Sequence, residues 1–377
     1  MVRLVVKGKP LNLSRDLVGR VVLGEEGPST VRMEGGMDLN GSLDGIHRAW
    51  LTTTETPETF LPTVHSLDSI GHLEAGDIVL IQRNGLVRTV FRTASPDNTL
   101  FTTDQCNSNC LMCSQPPKDV DDIRYHYEIN CRVIDLIPGH TETIGVTGGE
   151  PTLMGGLFFD LIERISSRLP ATVAHILTNG RAFAHRSFTE RFRSVNMPQV
   201  VLGIPLYSDY YARHDYVVQA RGAFDQTLLG LHNLGRAGAR IELRVVLHKL
   251  TYERLPQLAK FIFMNLPFVE QVSLMGLEYT GYTPHNDKLL WIEPREYVGQ
   301  LTRAVEYLDG NGISVSIYNH PLCTIPENLW KYSAKSISDW KRQYPEECGK
   351  CLVRDACGGV FSTSKKISSH IRPVVAI

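Results

Sequence analysis

No stretch of this sequence stays apolar over the roughly 18 residues that a membrane-crossing helix needs. The first residues, Met1 to Leu11, place Lys7 and Lys9 where a secretory signal would keep an apolar run. The expectation is a soluble, cytoplasmic protein without a membrane partner. Neither sign of charge dominates: 39 Lys and Arg face 40 Asp and Glu, a net charge of -1. That balance gives no general attraction to nucleic acid or anionic membrane, although a local basic groove stays open. Internal repeats and low-complexity tracts are missing, which sets aside solenoids and disordered tails. What remains is an ordinary globular composition, 42% hydrophobic with 31 glycines. At 377 residues the chain suits a barrel of roughly 200–250 residues with smaller attachments.

Eight cysteines are present. In a reducing compartment they serve as ligands or core residues rather than as disulfides. Seven of them fall into two groups, at 106–113 and 323–357, and most of the functional information lies there.

Residues 1–95 read as a β-rich domain. Strands are expected at Val2–Val6, Val18–Leu23, Ala49–Thr53, Ile78–Gln82 and Val87–Phe91. Asn84–Gly85 between the last two is a hairpin signal. Gly27–Pro28, Gly35–Gly36 and Asn40–Gly41 mark further turns. Near Thr99 the rhythm changes. Strand-like runs at Thr99–Thr103, Thr143–Thr147, Thr172–Thr178, Gln199–Leu206, Arg240–His248 and Gln271–Gly276 now alternate with helical periodicity. The helices are expected at Val120–Leu136, Gly156–Leu169, Phe224–Ala237 and Arg254–Phe263. Six strands separated by helices imply a parallel sheet with right-handed crossovers, an open or partly closed barrel. In such folds ligands gather at the carboxyl ends of the strands. Cys106, Gly148–Gly149, Asn179–Gly180 and Tyr207–Ser208 fall at those ends. A helix, Arg295–Leu308, and a strand, Ile313–Tyr318, lead into an irregular tail with four cysteines. The division is 1–95, 96–312 for the core barrel, and 313–377 for the cysteine-rich extension.

The first group, Cys106, Cys110 and Cys113, has the spacing CxxxCxxC in a loop after a strand. Three thiolates cannot complete the four-cysteine coordination of a cubane iron–sulfur cluster. One iron is left open, and an open metal position signals catalysis. The competing reading is a zinc site that borrows a distant histidine, although zinc loops usually use paired CxxC units.

This pattern resembles the radical S-adenosylmethionine (SAM) superfamily. The resemblance implies that Cys106, Cys110 and Cys113 hold a [4Fe–4S] cluster whose open iron is chelated by SAM. One-electron reduction would then cleave SAM to a 5′-deoxyadenosyl radical, which abstracts hydrogen from a substrate. Met112 stands where the family often has an aromatic residue, and methionine can cover the same surface. Gly148, Gly149, Glu150 and Pro151 at the end of the second strand resemble the family's GGEP motif, which contacts the SAM amino group. Asn179 resembles a residue that touches SAM, with a plain turn as the equal alternative. Ser208 corresponds to a serine near the SAM ribose. Arg244 is a charge in a buried strand and needs a partner. The SAM carboxylate or ribose would serve, as would an ion pair with Glu242 or Glu278. His214, Asp215, Arg221 and Gly222 resemble the loop after the fourth strand in peptide-modifying members, where they shape that loop.

The second group is Cys323, Cys348, Cys351 and Cys357. Four cysteines meet the complement of a fully ligated cluster, and CxxC with a further cysteine also suits zinc. The group resembles the SPASM or twitch extensions of peptide maturases. It has too few cysteines for two clusters, so the resemblance implies one auxiliary [4Fe–4S] cluster. Cys131 is expected to be a buried structural thiol, and His320 a hydrogen-bonded surface histidine or a ligand.

Longer strings narrow the resemblance. Cys-Leu-Met-Cys-Ser-Gln-Pro-Pro-Lys (110–118), Leu-Thr-Asn-Gly-Arg-Ala-Phe-Ala (177–184), Gly-Ile-Pro-Leu-Tyr-Ser (203–208), His-Asp-Tyr-Val-Val-Gln-Ala-Arg-Gly-Ala-Phe-Asp (214–225), Ile-Tyr-Asn-His-Pro-Leu-Cys (317–323) and Lys-Ser-Ile-Ser-Asp-Trp-Lys (335–341) look like the HxsC-type radical SAM maturases of His-Xaa-Ser systems. That implies an α/β fold with a six-stranded partial (β/α)6 TIM-like barrel, a β-rich N-terminal domain and a cysteine-rich C-terminal extension. It also implies a precursor peptide with His-Xaa-Ser repeats as substrate, a second maturase of HxsB type as partner, and an external one-electron reductant. Two other readings stand beside it. One is a radical SAM enzyme acting on RNA or a small metabolite, with the near-zero charge arguing against RNA. The other is a cluster-bearing partner or electron-relay subunit, for which an open cluster and GGEP have no use. No catalytic acid, base or hydrogen donor is identified.

Overall fold

In the computed structural model, which describes residues 4–23, 30–38, 47–55, 59–336 and 339–375, the chain divides into two units. The first comprises Met1–Thr102, Asp122–Val146 and Gly156–Ala174, the second Thr103–Asp121, Thr147–Gly155 and His175–Ile377.

The first unit holds an eight-stranded sheet. Its strands are β1 (Val5–Lys7), β2 (Lys9–Leu11), β3 (Leu17–Val22), β4 (Thr30–Asp38), β5 (His47–Thr52), β6 (Thr63–His65), β7 (Ile78–Ile81) and β8 (Leu86–Phe91). They lie in the order β1-β8-β7-β3-β4-β5-β6-β2. All neighbours are antiparallel except β5 and β6. Apolar residues of these strands, including Leu17, Val21, Met33, Leu51, Val79 and Ile81, form one core. Removing each from water contributes roughly 1.5–3 kcal/mol.

The hairpin at Asn84–Gly85 is present. Gly85 has φ +82°, and the Leu86 N–H donates to Asn84 Oδ1 at 3.0 Å. Gly35–Gly36 does not make a turn. It lies inside β4, where the pairing with β5 shifts register between Met33 and Gly36, as glycine in a strand often marks a bulge. The expected turns at Gly27–Pro28 and Asn40–Gly41, and the start of the expected strand Val2–Val6, lie outside the described residues.

Also in this unit are β9 (Thr99–Phe101), β10 (Thr143–Thr147) and the first residues of β11 (Val173–Leu177), with α1 (Ile123–Leu136) and α2 (Gly156–Arg168). Arg164 of α2 pairs with Asp135 of α1, and its Nε donates to the Cys131 carbonyl at 3.1 Å. The Tyr125 hydroxyl donates to Asp16 at 2.6 Å and accepts from Gln82 Nε2 at 3.1 Å, which ties α1 to the sheet. Cys131 is half-buried rather than buried.

From the end of β11 the second unit continues with β12 (Val200–Pro205), β13 (Arg240–Leu247), β14 (Gln271–Gly276), β15 (Ser314–Tyr318) and β16 (Ser333–Ala334). These are neighbours in chain order, and β12 through β16 pair in parallel. The α/β fold with a parallel sheet is therefore as expected. The helices are α3 (Arg186–Val195), α4 (Tyr211–Val218), α5 (Ala223–Arg236), α6 (Leu255–Asn265), α7 (Asp287–Leu290) and α8 (Pro294–Gly310). Neither α3 nor α4 was expected. Each buries few side chains, Thr189 and Phe192 in α3 and His214, Val217 and Val218 in α4, so their apolar stripes are short. Alternation along β13 puts the fully buried Ile241, Leu243, Val245 and Leu247 on one face and Glu242 and Arg244 on the other. In the tail, β17 (Arg342–Gln343) pairs antiparallel with β18 (Val360–Phe361). No helix among the described residues is long and apolar enough to cross a membrane.

Candidate functional site

The CxxxCxxC loop is held by backbone bonds along its length. The Asn109 and Leu111 N–H groups donate to the Val218 and Val217 carbonyls at 3.0 and 2.9 Å, and the Tyr282 N–H donates to the Cys113 carbonyl at 2.9 Å. Asn286 Nδ2 donates to the Leu111 carbonyl at 2.8 Å. Lys118 closes the loop on Asp104 through its N–H, at 2.9 Å, and its ammonium, also at 2.9 Å. Gly281, at φ +58°, passes so near that a Cβ there would lie 2.1 Å from the Cys113 carbonyl oxygen. Met112 packs with Tyr207, Val217, Val218 and Leu290, and Cys110 lies against the same cluster.

Burial pushes the Cys106 thiol up to about 11 and the Cys110 thiol up to about 12, and the neighbouring motif cysteines push in the same direction. The Cys113 thiol is also raised by burial. As bare thiolates the three would be desolvated and would repel one another. A cationic centre shared between them removes both costs. The donor set therefore fits an iron–sulfur cluster bound by three thiolates.

The GGEP turn lies directly against the entry to this loop. The Gly149 N–H donates to the Thr103 carbonyl at 2.6 Å and the Glu150 N–H to the Gln105 carbonyl at 2.8 Å. Glu150 is 1% exposed. Its Oε1 accepts from the Thr152 N–H at 3.0 Å and from the Thr152 and Thr178 hydroxyls, each at 2.6 Å. Its Oε2 accepts from the Asn179 N–H at 2.7 Å. The carboxylate thus joins the end of β10 to the end of β11 with four internal bonds. Pro151 opens a short 3-10 helix, Pro151–Met154, and is buried; Gly148 directly follows β10.

Asn179 Nδ2 donates to Asn107 Oδ1 at 2.6 Å. Sequence reasoning passed over Arg181. Its Nη1 reaches the Asn107 carbonyl and the Ser108 hydroxyl, the latter at 3.1 Å. Its Nε donates to Gln226 Oε1 at 2.7 Å. Its charge favours the ionised forms of Cys106 and Cys110. An arginine two residues past an Asn at a strand end was the only signal, and it has no meaning without the fold.

Ser208 is buried, and its hydroxyl accepts the Tyr210 N–H at 3.2 Å in a local turn. Arg244 makes the ion pair with Glu242, Nη1 lying 3.2 Å from each carboxylate oxygen. Glu278 is bonded elsewhere, to Lys341 at 3.2 Å and the Thr363 hydroxyl at 2.5 Å. Burial works against the Glu242 charge, but His175 Nε2 at 2.6 Å, Arg244 and the Ser273 hydroxyl outweigh it and lower the carboxyl to about 2. Asp215 accepts the Gly222 and Phe224 N–H groups at 2.6 and 2.8 Å, at the start of α5.

Cys323, Cys348, Cys351 and Cys357 line one cavity. Cys357 Sγ accepts N–H bonds from Leu322 at 3.4 Å and Gly359 at 3.3 Å. Cys351 Sγ accepts one from Val374 at 3.4 Å. Burial raises the Cys323 and Cys348 thiols, and repulsion from the other cysteines of the cavity adds to it. Four sulfurs around one cavity, two of them with backbone N–H donors, suit a fully ligated cluster. His320 is not a surface histidine. It is 1% exposed, bonded to the Tyr297 hydroxyl and the Tyr318 carbonyl at 2.8 Å each. The tail that follows is fastened to residues 278–293. Lys366 pairs with Asp287 at 2.8 Å, and the Ser368 hydroxyl donates to Glu293 at 2.6 Å.

Residues 100–262 match the family model of the radical SAM superfamily, which supports that superfamily for this part of the chain. Over 223 residues the chain is 26% identical to Fe-coproporphyrin III synthase of Methanosarcina barkeri, covering 57% of this chain and 53% of that protein. Over 231 residues it is 23% identical to GTP 3',8-cyclase of Mannheimia succiniciproducens, covering 59% and 66%. The chain thus spans between about half and two thirds of the curated relatives it matches. Among solved structures it is similar to Streptococcus suis SuiB bound to S-adenosylmethionine, at TM-score 0.45 and 15% identity, covering 58% of this chain and 49% of that one.

Proposed function

We propose that this protein is a radical SAM enzyme that modifies a ribosomally made precursor peptide carrying His-Xaa-Ser repeats. One observation carries the radical SAM part of the reading: the three-cysteine loop and the GGEP turn are hydrogen-bonded together, Glu150 N–H to Gln105 carbonyl at 2.8 Å; the peptide substrate rests on the resemblance of the longer sequence strings. Cys106, Cys110 and Cys113 would hold a [4Fe–4S] cluster with one open iron. When bound, such a cluster would pass one electron from an external reductant to SAM, which would part into methionine and a 5′-deoxyadenosyl radical able to take hydrogen from the peptide.

The chain's own residues organise that chemistry. Gly149 lets the GGEP turn pack against the backbone of Gln105 at the entry to the cysteine loop, and Gly148 beside it would let backbone approach a ligand. Glu150, with Pro151 behind it, fixes Asn179 at the mouth of the sheet. Met112 and Tyr207 present an apolar wall against Cys110. Ser208 and Arg244 are the remaining candidates to meet SAM, and Arg244 would do so with Glu242 already at its side. Cys323, Cys348, Cys351 and Cys357 would hold an auxiliary [4Fe–4S] cluster. The reading assigns 96–312 to the radical core, 313–377 to the auxiliary extension and 1–95 to a β-rich domain. It places the protein in the cytoplasm with an external one-electron reductant and an HxsB-type partner.

The test is product analysis by mass spectrometry after anaerobic incubation with SAM, reductant and a His-Xaa-Ser peptide. A mass change that maps to the repeat supports the reading. A second reading, a small-metabolite substrate, draws on the names of the two curated relatives, a porphyrin synthase and a GTP cyclase. It predicts SAM cleavage that leaves the peptide unchanged.

A further inference from the structure

A groove of about 390 Å³ lies between α3 and α5, lined by Arg186, Arg193 and Arg236 with Glu190, Thr189 and Asn233. The three arginines are exposed, and none of their side chains has a hydrogen bond or ion pair among the described residues. Their placement has a cost. Arg186 begins α3, where the helix dipole disfavours a cation, and Arg193 lies seven residues on, two turns along the same face. Glu190 stands between them without closing an ion pair to either. In a chain of net charge -1 this is a local excess of unpaired guanidinium groups around a cavity of ligand size.

The floor of the groove is rigid. Thr189 and Asn233 are buried. The Thr189 hydroxyl donates to the Phe183 carbonyl at 2.9 Å. Asn233 Nδ2 donates to the Phe183 and Ala184 carbonyls at 2.9 and 3.2 Å. Those carbonyls belong to the short 3-10 helix Arg181–Ala184, whose first residue bonds Asn107 and Ser108 of the cysteine loop. One turn of helix therefore separates the groove floor from the loop.

We propose that this groove docks an acidic segment of the peptide substrate, with carboxylates paired to Arg186, Arg193 and Arg236. The proposal rests on a peptide being the substrate and names the chemistry that would recognise it. Guanidinium groups match carboxylates in a bidentate fork. RNA fits less well, because no aromatic side chain lines the groove for base stacking.

Docking is tested by fluorescence anisotropy on the full chain without SAM or reductant, so that the outcome is independent of turnover. The probes are a short Asp- and Glu-rich peptide, its Asn and Gln counterpart, and a single-stranded RNA of similar length. The acidic peptide should bind in a salt-sensitive manner and at least about tenfold more tightly than its amide counterpart, a difference of about 1.4 kcal/mol. The variant Arg186→Glu/Arg193→Glu/Arg236→Glu should lose that preference, whereas Arg303→Glu, an exposed position on α8, should keep it. All of these arginines are exposed, so the variants should melt like the parent protein. Equal binding of acidic and amide peptides, or loss in the Arg303 variant alone, overturns the proposal. Tighter binding of the RNA that depends on the same three arginines also overturns it and makes the groove a nucleic-acid site.

Discussion

Gly149 and Gln105 approach so closely that any side chain at position 149 would collide with backbone: a Cβ there would lie 2.0 Å from the Gln105 carbonyl oxygen and 2.6 Å from its carbon. The residue before Cys106 and the second glycine of the GGEP turn are therefore one packed unit. Gly149→Ala must displace the entry to the cysteine loop, because the obstructing atoms are backbone and cannot rotate away. Overpacking of this kind costs about 1–3 kcal/mol. The variant should melt several degrees lower and retain less iron at the first cluster after reconstitution. Unchanged melting together with full iron would contradict the packing argument.

Glu150→Gln removes one acceptor oxygen from a carboxylate that receives four bonds. Whichever way the amide turns, its NH₂ faces a backbone N–H, of Thr152 or of Asn179. A buried donor left unsatisfied costs about 1–3 kcal/mol. Urea unfolding should show that loss. SAM affinity by calorimetry should fall with it, since Asn179 loses its anchor. A variant as stable as the parent with undiminished SAM binding would rule out this positioning role.

The buried histidines set an acid limit on stability. Burial lowers His320 to about 4 and His248 to about 3, from an ordinary 6.5. Because their folded values lie below the unfolded value, the unfolded chain binds more protons through that window. Stability is then fully present above about pH 6.5 and is lost as the pH falls towards 4, on the order of 3 kcal/mol for His320. Glu242, held at about 2, contributes stability that is fully present above its unfolded value near 4.5 and lost only below that. The melting temperature should therefore drop between pH 7 and 5. His320→Gln, which can keep both hydrogen bonds without titrating, should flatten that slope. A slope the same as in the parent would show that His320 is not a source of it.

The two cysteine groups should load separately. Cys348→Ala/Cys351→Ala should lower iron from about eight to about four atoms per chain, with the loss confined to the auxiliary cluster by electron paramagnetic resonance. Iron content unchanged by that pair would contradict the auxiliary site.

Much of the site's plan was legible because strand ends follow from periodicity. Cys106, Gly148, Asn179 and Ser208 each fall after one of four successive strands, β9 to β12, and those ends could be read from β-branched runs. The contacts that position the site were not legible. Arg181 and Ser108 are 73 residues apart, and the four bonds to Glu150 need two strand ends brought together. Arg244 was readable as a charge in want of a partner, but Glu242 two residues away could be chosen over Glu278 only from the pleat. His320 was misread because its partner Tyr297 lies on a helix 23 residues earlier. The Gly35–Gly36 pair shows the converse: a turn signal was overridden by the sheet on either side.

The most direct measurement is the yield of 5′-deoxyadenosine from the anaerobically reconstituted, reduced protein with SAM, with and without a His-Xaa-Ser peptide. The account predicts a yield that rises with the peptide and vanishes in Cys110→Ala. No 5′-deoxyadenosine under either condition, with both clusters verified by iron content, would contradict an autonomous radical SAM enzyme.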